Sequence, residues 1–464
     1  MNFVFVSPNF PSVYWNFCER LVQNGVRVLG VGDCAYDDLD PRLRHILTEY
    51  YKVSNLGDYE EMFRAVAFLS FKYGKIDWLE SNNEFWLEQD ARLREDFNIT
   101  TGMHVSDARA WRSKSSMKSF YERAGVASAR CLRPTTLAAA RAFVKEVGGY
   151  PVFAKPDVGV GAEGAHHVNN EAELEALFES GESRNVIIEE CVRGDIMSYD
   201  AILDSHGKPL FESSCLFPPS MSDVVQQRLD MSYCVLPEIP EKLLAAGRAC
   251  VRAFNVTSRF IHFEFFRLSS DQPGLGKKGD FVGLEANMRP AGAYTPDMMN
   301  VAHEADVYSM WADMVCYDEL RNSDVGTHGC CVYAGRRDGR AYAHTHDEIM
   351  SRYYIRMRDH GRMPDAIAND MGNDYYVARV RDEAAAREFA DYVFAPPAPE
   401  AKAEPKKAAT KSADKSKTAA TKTTKAKATT KASDSKPKTK AKPKAKSKAK
   451  GKSKAKSKGK GKAK

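Results

Sequence analysis

The chain has no CxxC cysteine pair. Its ten cysteines are scattered through 464 residues, with none in a CxxC spacing and only Cys330 and Cys331 adjacent. Disulfide scaffolds and structural zinc sites depend on regular cysteine spacings. Their absence argues against both kinds of site and fits a protein of a reducing compartment.

The chain also has no long apolar run. The apolar start at residues 1–6 ends at Ser7 and Pro8, and no run approaches the roughly 20 apolar residues of a membrane-spanning helix. We therefore expect a soluble, cytoplasmic protein. Its length leaves room for several domains and a sizeable core.

No glycine-rich loop follows the first predicted strand. Residues 2–6 (NFVFV) are typical of a buried strand, but the next turn is SPNFP, which argues against a dinucleotide site there. Helices and strands alternate up to about residue 100, which predicts a parallel α/β domain. The polar residues 81–84 (SNNE) end one of these strands. They would line a ligand crevice or form a plain polar turn, and turn frequencies favour the second.

Arginine is missing from residues 401–464, where 25 lysines face three acidic residues, a net charge of +22. Because the whole chain carries +6, the first 400 residues carry −16. A segment this charged and poor in apolar side chains cannot form a core, so we expect residues 396–464 to be disordered. Nucleic acid or another polyanion would bind it through counterion release. The alternative is a solubilising tail attracted to the acidic body.

Two apolar strands are predicted at residues 259–268 (RFIHFEFFRL) and 281–292 (FVGLEANMRPAG). The segment between them is rich in Gly, Asp and Pro, as expected of a hairpin connection, which would pair the strands antiparallel. Glu285 and Asn287 then share one face of the second strand, and Glu264 comes beside them from the first.

These side chains predict a cation site. Two carboxylates on neighbouring strands repel each other unless a cation lies between them, and oxygen ligands suit Mg²⁺. Arg289, just beyond Asn287, would be free to bind an anionic group next to the metal. The alternative is a partly exposed strand pair with scattered charges. Acidic residues are disfavoured inside strands, which favours the cation site.

A second motif begins at Lys155, in KPDVGVGAEG. Gly159, Gly161 and Gly164 spell GxGxxG, but the residues after them predict a returning strand rather than the helix of a dinucleotide site. We interpret the loop as a flap whose backbone N–H groups would cover phosphates, with Lys155 adding a point charge. The alternative is a structural hairpin. Lys114 lies earlier, on a basic helical stretch (residues 108–124) that periodicity alone makes a solvated face.

The ordered set of these residues resembles the ATP-grasp superfamily of ATP-dependent ligases, and within it the branch of carbamoyl-phosphate synthetase and biotin carboxylase. The set also includes the apolar strand of residues 185–192 (NVIIEECV), which ends in Glu189 and Glu190. The resemblance covers roughly residues 105–320. It implies a Rossmann-like domain at 1–104, an ATP-grasp domain at 105–320, a small α+β appendage at 321–395 and the disordered tail. The tail itself resembles those of linker histones, which implies association with the nucleoid.

Carried to this sequence, the resemblance implies ATP with Mg²⁺ or Mn²⁺. Phosphates would be bound by Lys114, Lys155 and the loop of Gly159, Gly161 and Gly164. Adenine and ribose would be bound by Glu189, Glu190, Val192 and Asp195. The metal ligands would be Glu264, Glu285 and Asn287, with Arg289 at the transferred phosphate.

The implied reaction is carboxylate activation, in which ATP forms an acylphosphate that an amine or similar nucleophile then attacks. The chain departs from biotin carboxylases in two ways: the hinge has Glu189 followed by Glu190 instead of a Glu-Lys pair, and no biotin-carrier segment is present. Carbamoyl-phosphate synthesis would need a second synthetase half, which is also missing. A stand-alone ligase for small-molecule substrates remains. The alternative is a catalytically silent ATP-binding sensor or adaptor that its tail tethers to a polyanion.

Overall fold

A computed structural model describes residues 1–398 except 160–163, 182, 184–185, 219–223, 225–226 and 323–325. Gly161 of the predicted flap and all but the first residues of the predicted tail therefore lie outside the described residues. The described chain combines three sheets with fourteen helices and matches the mixed α/β fold class expected from the sequence.

The first sheet is parallel, as predicted. Its strands are β1 (Asn2–Val6), β2 (Arg27–Gly32), β3 (Glu49–Lys52) and β4 (Trp78–Glu80), in the order β3-β2-β1-β4. Strands β1 and β2 are almost wholly buried, which explains their uninterrupted apolar sequences. The helices around this sheet are α1 (Trp15–Gln23), α2 (Pro41–Ile46), α3 (Tyr59–Tyr73) and α4 (Leu87–Asp96).

The second sheet is antiparallel and carries the glycine loop. Its strands are β5 (Cys131–Leu132), β6 (Val152–Pro156), β7 (His166–Val168) and β8 (Val186–Glu190), in the order β5-β8-β6-β7. Strand β7 returns antiparallel to β6, which confirms the predicted hairpin. Its helices are α7 (Leu137–Glu146) and α8 (Glu171–Glu179).

The basic stretch predicted as one helix is two: α5 (Val105–Arg112) and α6 (Lys114–Ala124). The break lies at Ser113, where the backbone is extended and α5 ends. The Ser113 hydroxyl accepts a hydrogen bond from the Ser116 N–H and so caps the start of α6. Lys114 is therefore the first residue of a helix and not a mid-helix surface residue.

The largest sheet has nine strands and contains the predicted hairpin of residues 259–287. Its order is β14-β13-β9-β11-β12-β15-β17-β16, with β10 paired to β9. The strands are β9 (Gly194–Leu203), β10 (Pro209–Ser213), β11 (Cys215–Phe217), β12 (Met231–Val235), β13 (Arg259–Leu268), β14 (Phe281–Asn287), β15 (Cys330–Arg336), β16 (Met357–Arg362) and β17 (Asp374–Val380). Strands β13 and β14 pair antiparallel with Glu264 opposite Glu285, as predicted.

The strands from residues 330–380 extend this same sheet. Strand β15 pairs with β12, and β17 pairs with β15. Residues 1–398 lie in one compact unit, so the boundaries near residues 104, 320 and 395 stay predictions. The remaining helices are α9 (Glu241–Phe254), α10 (Thr295–His303), α11 (Val307–Tyr317), α12 (His346–Tyr353), α13 (Asp365–Met371) and α14 (Glu383–Phe394). Among the described helices, none is both long and apolar enough to cross a membrane.

Candidate functional site

Three neighbouring strands, β9, β13 and β14, place polar side chains on one face of the large sheet. The strand register aligns them in two rows across the sheet. Their neighbours in β13, Phe263 and Phe265, are fully buried, since side chains alternate along a strand. We call the six residues the polar grid. Its rows are Asp200–His262–Asn287 and Ser198–Glu264–Glu285.

Helix α6 brings two lysines over the grid because Gly283 of β14 lets it approach closely. A Cβ atom at Gly283 would lie 2.5 Å from the ring of Tyr121 on α6. The start of the helix is also fixed, because its Ser115 N–H donates to an Asp157 carboxylate oxygen at 2.8 Å. Lys114 and Lys118 are four residues apart, so both project from one face of α6.

Each of three lysines at the site pairs with a carboxylate. Lys114 Nζ lies 2.9 Å from Glu285 Oε1 and 3.2 Å from the Gly159 carbonyl oxygen. The Nζ atoms of Lys118 and Lys155 each lie 2.7 Å from an oxygen of the buried Glu189. Lys114 thus joins the grid to the glycine loop, through an ion pair with Glu285 and a hydrogen bond to Gly159.

These pairs keep the buried groups charged. Burial disfavours the charged form of Lys155, but the Glu189 carboxylate outweighs it and the pKa of Lys155 is raised. Burial likewise acts to raise the pKa of Glu189, and Lys155 and Lys118 together lower it. The site therefore holds a set of cations that an anionic ligand could bind.

A cavity of about 400 Å³ lies between these lysines and the large sheet. Its charged lining consists of the three lysines together with Glu189, Glu264 and Glu285. Its apolar lining includes Phe153, Val192, Phe217, Phe266 and Leu284. This combination suits a ligand with an anionic end and a flat, apolar end.

The grid has oxygen atoms available for a cation. The Asn287 side chain is only 5% exposed and forms no hydrogen bond with any described residue. Burial acts to raise the pKa of Glu264, but His262 outweighs it and the pKa is lowered, so the carboxylate is ionised. Within the described residues, no three His, Cys, Asp or Glu side chains form a metal cluster. The oxygen atoms of Glu264, Glu285 and Asn287 would suit a hard cation that takes its further oxygen ligands from the substrate or from water.

Arg289 lies beyond the end of β14, next to a residue from the first sheet. Its Nε atom is 3.3 Å from Glu84 Oε2, and its Nη1 donates to the Pro290 carbonyl oxygen at 2.8 Å. Glu84 belongs to the turn after β4, for which the sequence favoured a plain polar turn. The structure places this turn beside Arg289, the predicted phosphate-binding arginine. The Nε atom of Arg112 also lies 3.8 Å from Glu84 Oε1.

Most predicted site residues meet at the cavity. Seven of them line it: Lys114, Lys155, Glu189, Glu190, Val192, Glu264 and Glu285. Asn287 and Arg289 follow on the same strand and the turn after it, and Gly159 contacts Lys114. Gly164 has a positive φ of 71° and packs against Pro156, at the far end of the loop.

Two predicted nucleotide contacts have other partners. The Glu190 carboxylate binds the Arg130 guanidinium through two hydrogen bonds, at 2.7 and 3.1 Å, and its backbone N–H donates to the Arg130 carbonyl oxygen at 3.1 Å. Asp195 is half exposed, pairs with Arg267 at 2.9 Å and is not among the residues lining the cavity.

Four residues of the site were missed by the sequence analysis. Lys118 was interpreted only as part of a solvated face, although its spacing from Lys114 places both on one side of the helix. Ser198, Asp200 and His262 alternate with apolar residues inside strands, which is the same signal that identified Glu285 and Asn287. That signal marks them as polar positions inside apolar strands, but it does not show that β9 pairs with β13.

Comparisons with known proteins bear on the fold. Residues 112–198 match the family model described as "Carbamoyl-phosphate synthase L chain, ATP binding domain". The structure is similar to an L-amino acid ligase from Bacillus licheniformis, with a TM-score of 0.62 and 14% sequence identity over 84% of this chain and 97% of that one. No match was found among curated proteins compared by sequence.

Two further solved structures share the fold. One is the biotin carboxylase domain of 2-oxoglutarate carboxylase from Hydrogenobacter thermophilus, in complex with MgADP, ADP and bicarbonate (TM-score 0.59, 16% identity, 83% of this chain and 88% of that one). The other is N5-carboxyaminoimidazole ribonucleotide synthetase from Thermotoga maritima (TM-score 0.59, 14% identity, 84% and 96%). The fold is thus the ATP-grasp fold expected from the sequence.

Proposed function

We propose that the protein is an ATP- and Mg²⁺-dependent ligase that activates a carboxylate as an acylphosphate for attack by an amine or similar nucleophile. The observation that carries this proposal is the cavity in which the buried Lys114 and Lys155 and the partly buried Lys118 face two grid carboxylates, with an unpaired asparagine and Arg289 next to them. Phosphoryl transfer needs mainly positioned positive charge, and this cavity is arranged to supply it.

ATP would bind with its phosphates at the lysines and its adenine in the apolar part of the cavity. Lys114 and Lys155 would bind phosphate oxygens, as the sequence implied, and Lys118 joins them because it shares Glu189 with Lys155. Glu189 would then act mainly by holding two lysines in place. The adenine edge would be bound by backbone groups near Glu190 and Val192, both of which line the cavity.

The metal would be held by Glu264, Glu285 and Asn287. When bound there, Mg²⁺ would neutralise charge on the phosphate oxygens of ATP, and we expect Mn²⁺ to substitute for it. Lys114 forms an ion pair with one oxygen of Glu285. As ATP binds, this ion pair would break and Lys114 would bind a phosphate oxygen.

The reaction follows in two steps. An oxygen of the substrate carboxylate attacks the γ-phosphorus, the bond from phosphorus to the β,γ-bridging oxygen breaks, and ADP leaves with that electron pair. The nucleophile then attacks the acyl carbon, the carbon–oxygen bond to phosphate breaks, and phosphate leaves while the nucleophile loses a proton to solvent. Arg289 would bind the transferred phosphoryl group in both steps, and the glycine loop would exclude water from the acylphosphate.

The test is release of phosphate from ATP in the presence of Mg²⁺ and pools of amino acids and other carboxylic acids. We expect at least one pool to stimulate release, and Lys155→Met to reduce it by about 100-fold or more because a buried phosphate contact is lost. Lys145→Met, on the exposed face of α7, is the matched control and should behave like wild type. ATP binding without stimulated release by any pool would instead favour the silent sensor.

For the tail we propose binding to nucleic acid or another polyanion, which rests on its charge of +22. A chain truncated after Pro396 should no longer shift duplex DNA in a low-salt gel. An equal shift by the truncated and full-length chains would remove this proposal and leave the ligase unaffected.

A further inference from the structure

A buried chain of hydrogen bonds leads from Glu264 away from the cavity. His262 Nε2 lies 3.0 Å from Glu264 Oε1, and His262 Nδ1 lies 2.7 Å from Asp200 Oδ1. The Ser198 hydroxyl donates to the other oxygen of Asp200. Asp200 and Ser198 are completely buried and His262 is 4% exposed, so only Glu264 reaches the cavity.

This arrangement fixes the orientation of the histidine ring. Each ring nitrogen lies within hydrogen-bond distance of a carboxylate oxygen, one on either side of the ring. A polar chain of this kind is costly to bury, and an apolar set of side chains would stabilise this sheet at least as well. The stability of the fold therefore does not explain the hydrogen-bonded chain, whose one member at the cavity is Glu264.

The hydrogen bond from His262 leaves Glu264 with one oxygen free. Its Oε1 atom is bound by the His262 ring, while its Oε2 atom forms no hydrogen bond or ion pair with a described residue. Because Asp200 holds the opposite ring nitrogen and Ser198 holds Asp200, the ring is prevented from rotating. The free oxygen is thus directed by side chains that touch no ligand.

We propose that His262 and Asp200 are positioning residues that orient Glu264 for the metal. This inference rests on the proposed function, in which Glu264 is a ligand of the ATP-bound metal. Groups that orient metal ligands typically change metal affinity by about 10- to 100-fold when they are replaced.

The test separates the contribution of the metal from that of the nucleotide. Calorimetry would give two Kd values for a non-hydrolysable ATP analogue, one with Mg²⁺ and one in EDTA. The readout is the Kd in EDTA divided by the Kd with Mg²⁺, which is large when the metal strengthens binding. We expect His262→Gln and Asp200→Asn to reduce this ratio by about 10-fold, with the metal-free Kd unchanged within about twofold. Glu264→Gln sets the scale for loss of the ligand itself.

The matched control is His303→Gln. His303 is also a buried histidine, bound to the Ser213 hydroxyl at 2.9 Å, but it does not line the cavity, so the ratio should not change. Asp200→Asn preserves the volume of the side chain and provides a folded variant if His262→Gln is unstable. Wild-type ratios in both variants, together with a reduced ratio in Glu264→Gln, would overturn this inference but leave the proposed metal site intact. A wild-type chain whose affinity does not depend on Mg²⁺ would overturn the proposed metal site itself.

Discussion

Strand β13 takes part in two charged clusters, and they differ in what their atoms contact. At the start of the strand, the guanidiniums of Arg259 and Arg94 each lie 2.9 Å from the same oxygen of Glu80. Further along the strand lie His262 and Glu264 of the polar grid. The first cluster is almost completely buried, whereas the Glu264 and Glu285 side chains of the grid are 23% and 20% exposed.

The first cluster uses its hydrogen bonds inside the protein. Arg94 donates to the carbonyl oxygens of Leu79 and Met103, and Arg259 donates to the carbonyl oxygen of Met288. Of the guanidinium nitrogens of these two arginines, only Nη1 of Arg259 is buried without a partner. None of these charged groups lines the cavity. The cluster joins the first sheet and α4 to the large sheet.

The grid, by contrast, leaves acceptors unpaired at a cavity. Asn287 and one oxygen of Glu264 have no partner among the described residues, and the Lys114–Glu285 pair faces the cavity. Buried charge alone therefore does not mark a functional site in this protein. Unpaired polar atoms beside a cavity distinguish the grid from a cluster that only holds the fold together.

The largest expected effect on stability is at the first cluster. Arg259→Met removes one partner of a buried ion pair and leaves Glu80 with Arg94 alone, so the free energy of unfolding should fall by about 3 to 5 kcal/mol. Urea denaturation measures this loss. A loss below about 1 kcal/mol would contradict the structural role given to this cluster.

Glu285→Gln should have the opposite profile. We expect phosphate release to fall by about 10²- to 10³-fold, or roughly 2.7 to 4 kcal/mol, because an oxygen that binds the metal is replaced by an amide. The free energy of unfolding should stay within about 1 kcal/mol of wild type, since the freed Lys114 still faces the cavity. If the free energy of unfolding of Glu285→Gln fell as far as that of Arg259→Met, both clusters would serve stability and the contrast between them would be wrong.

Asp297 on α10 extends the comparison because it is partly buried and has no cation partner among the described residues. Burial raises its pKa from 3.8 to about 6, although the Tyr308 hydroxyl donates to it at 2.9 Å. The raised pKa means that its contribution to stability is present below about pH 4 and is lost as the pH rises through about 6. Asp297→Asn should thus be more stable than wild type by roughly 2 to 3 kcal/mol at pH 8, with most of the gain absent at pH 4.

Unfolding free energies of wild type and Asp297→Asn across this pH range measure the effect. A difference that does not change with pH would show that Asp297 is ionised in the fold and that burial without a cation costs little here.

The smallest expected effect is at an exposed pair. Arg387 lies 3.2 Å from Glu383 one helical turn earlier on α14, and its side chain is 71% exposed. Arg387→Ala should change the free energy of unfolding by less than about 0.5 kcal/mol, because water screens such pairs. A loss of several kcal/mol in the same urea assay would remove the distinction between buried and exposed charges.

The sequence predicted the part of the site that is built from neighbouring elements. Strands β13 and β14 are joined by a short hairpin, so their alternation alone placed Glu264 opposite Glu285. The apolar run of β1 and the hairpin of β6 and β7 were likewise local patterns. Each of these predictions needed only the residues of the element and its immediate neighbour in the chain.

The missed residues are those whose partners are distant in the sequence. Asp200 of β9 pairs with His262, 62 residues later, and periodicity does not identify which strands become neighbours. Lys118 has the pattern of a solvated helix face until β8 brings Glu189 to it. Glu84 precedes Arg289 by 205 residues (289 − 84), and only the packing of the first sheet against β13 brings them together.

The central claim is that the cavity transfers a phosphoryl group from ATP to a carboxylate. The most direct measurement uses stimulating substrates whose carboxylate is labelled with ¹⁸O, followed by mass spectrometry of the released phosphate. An acylphosphate intermediate leaves one carboxylate oxygen on phosphorus, so the released phosphate should carry one ¹⁸O atom. Substrate-stimulated release of phosphate without ¹⁸O would contradict the claim.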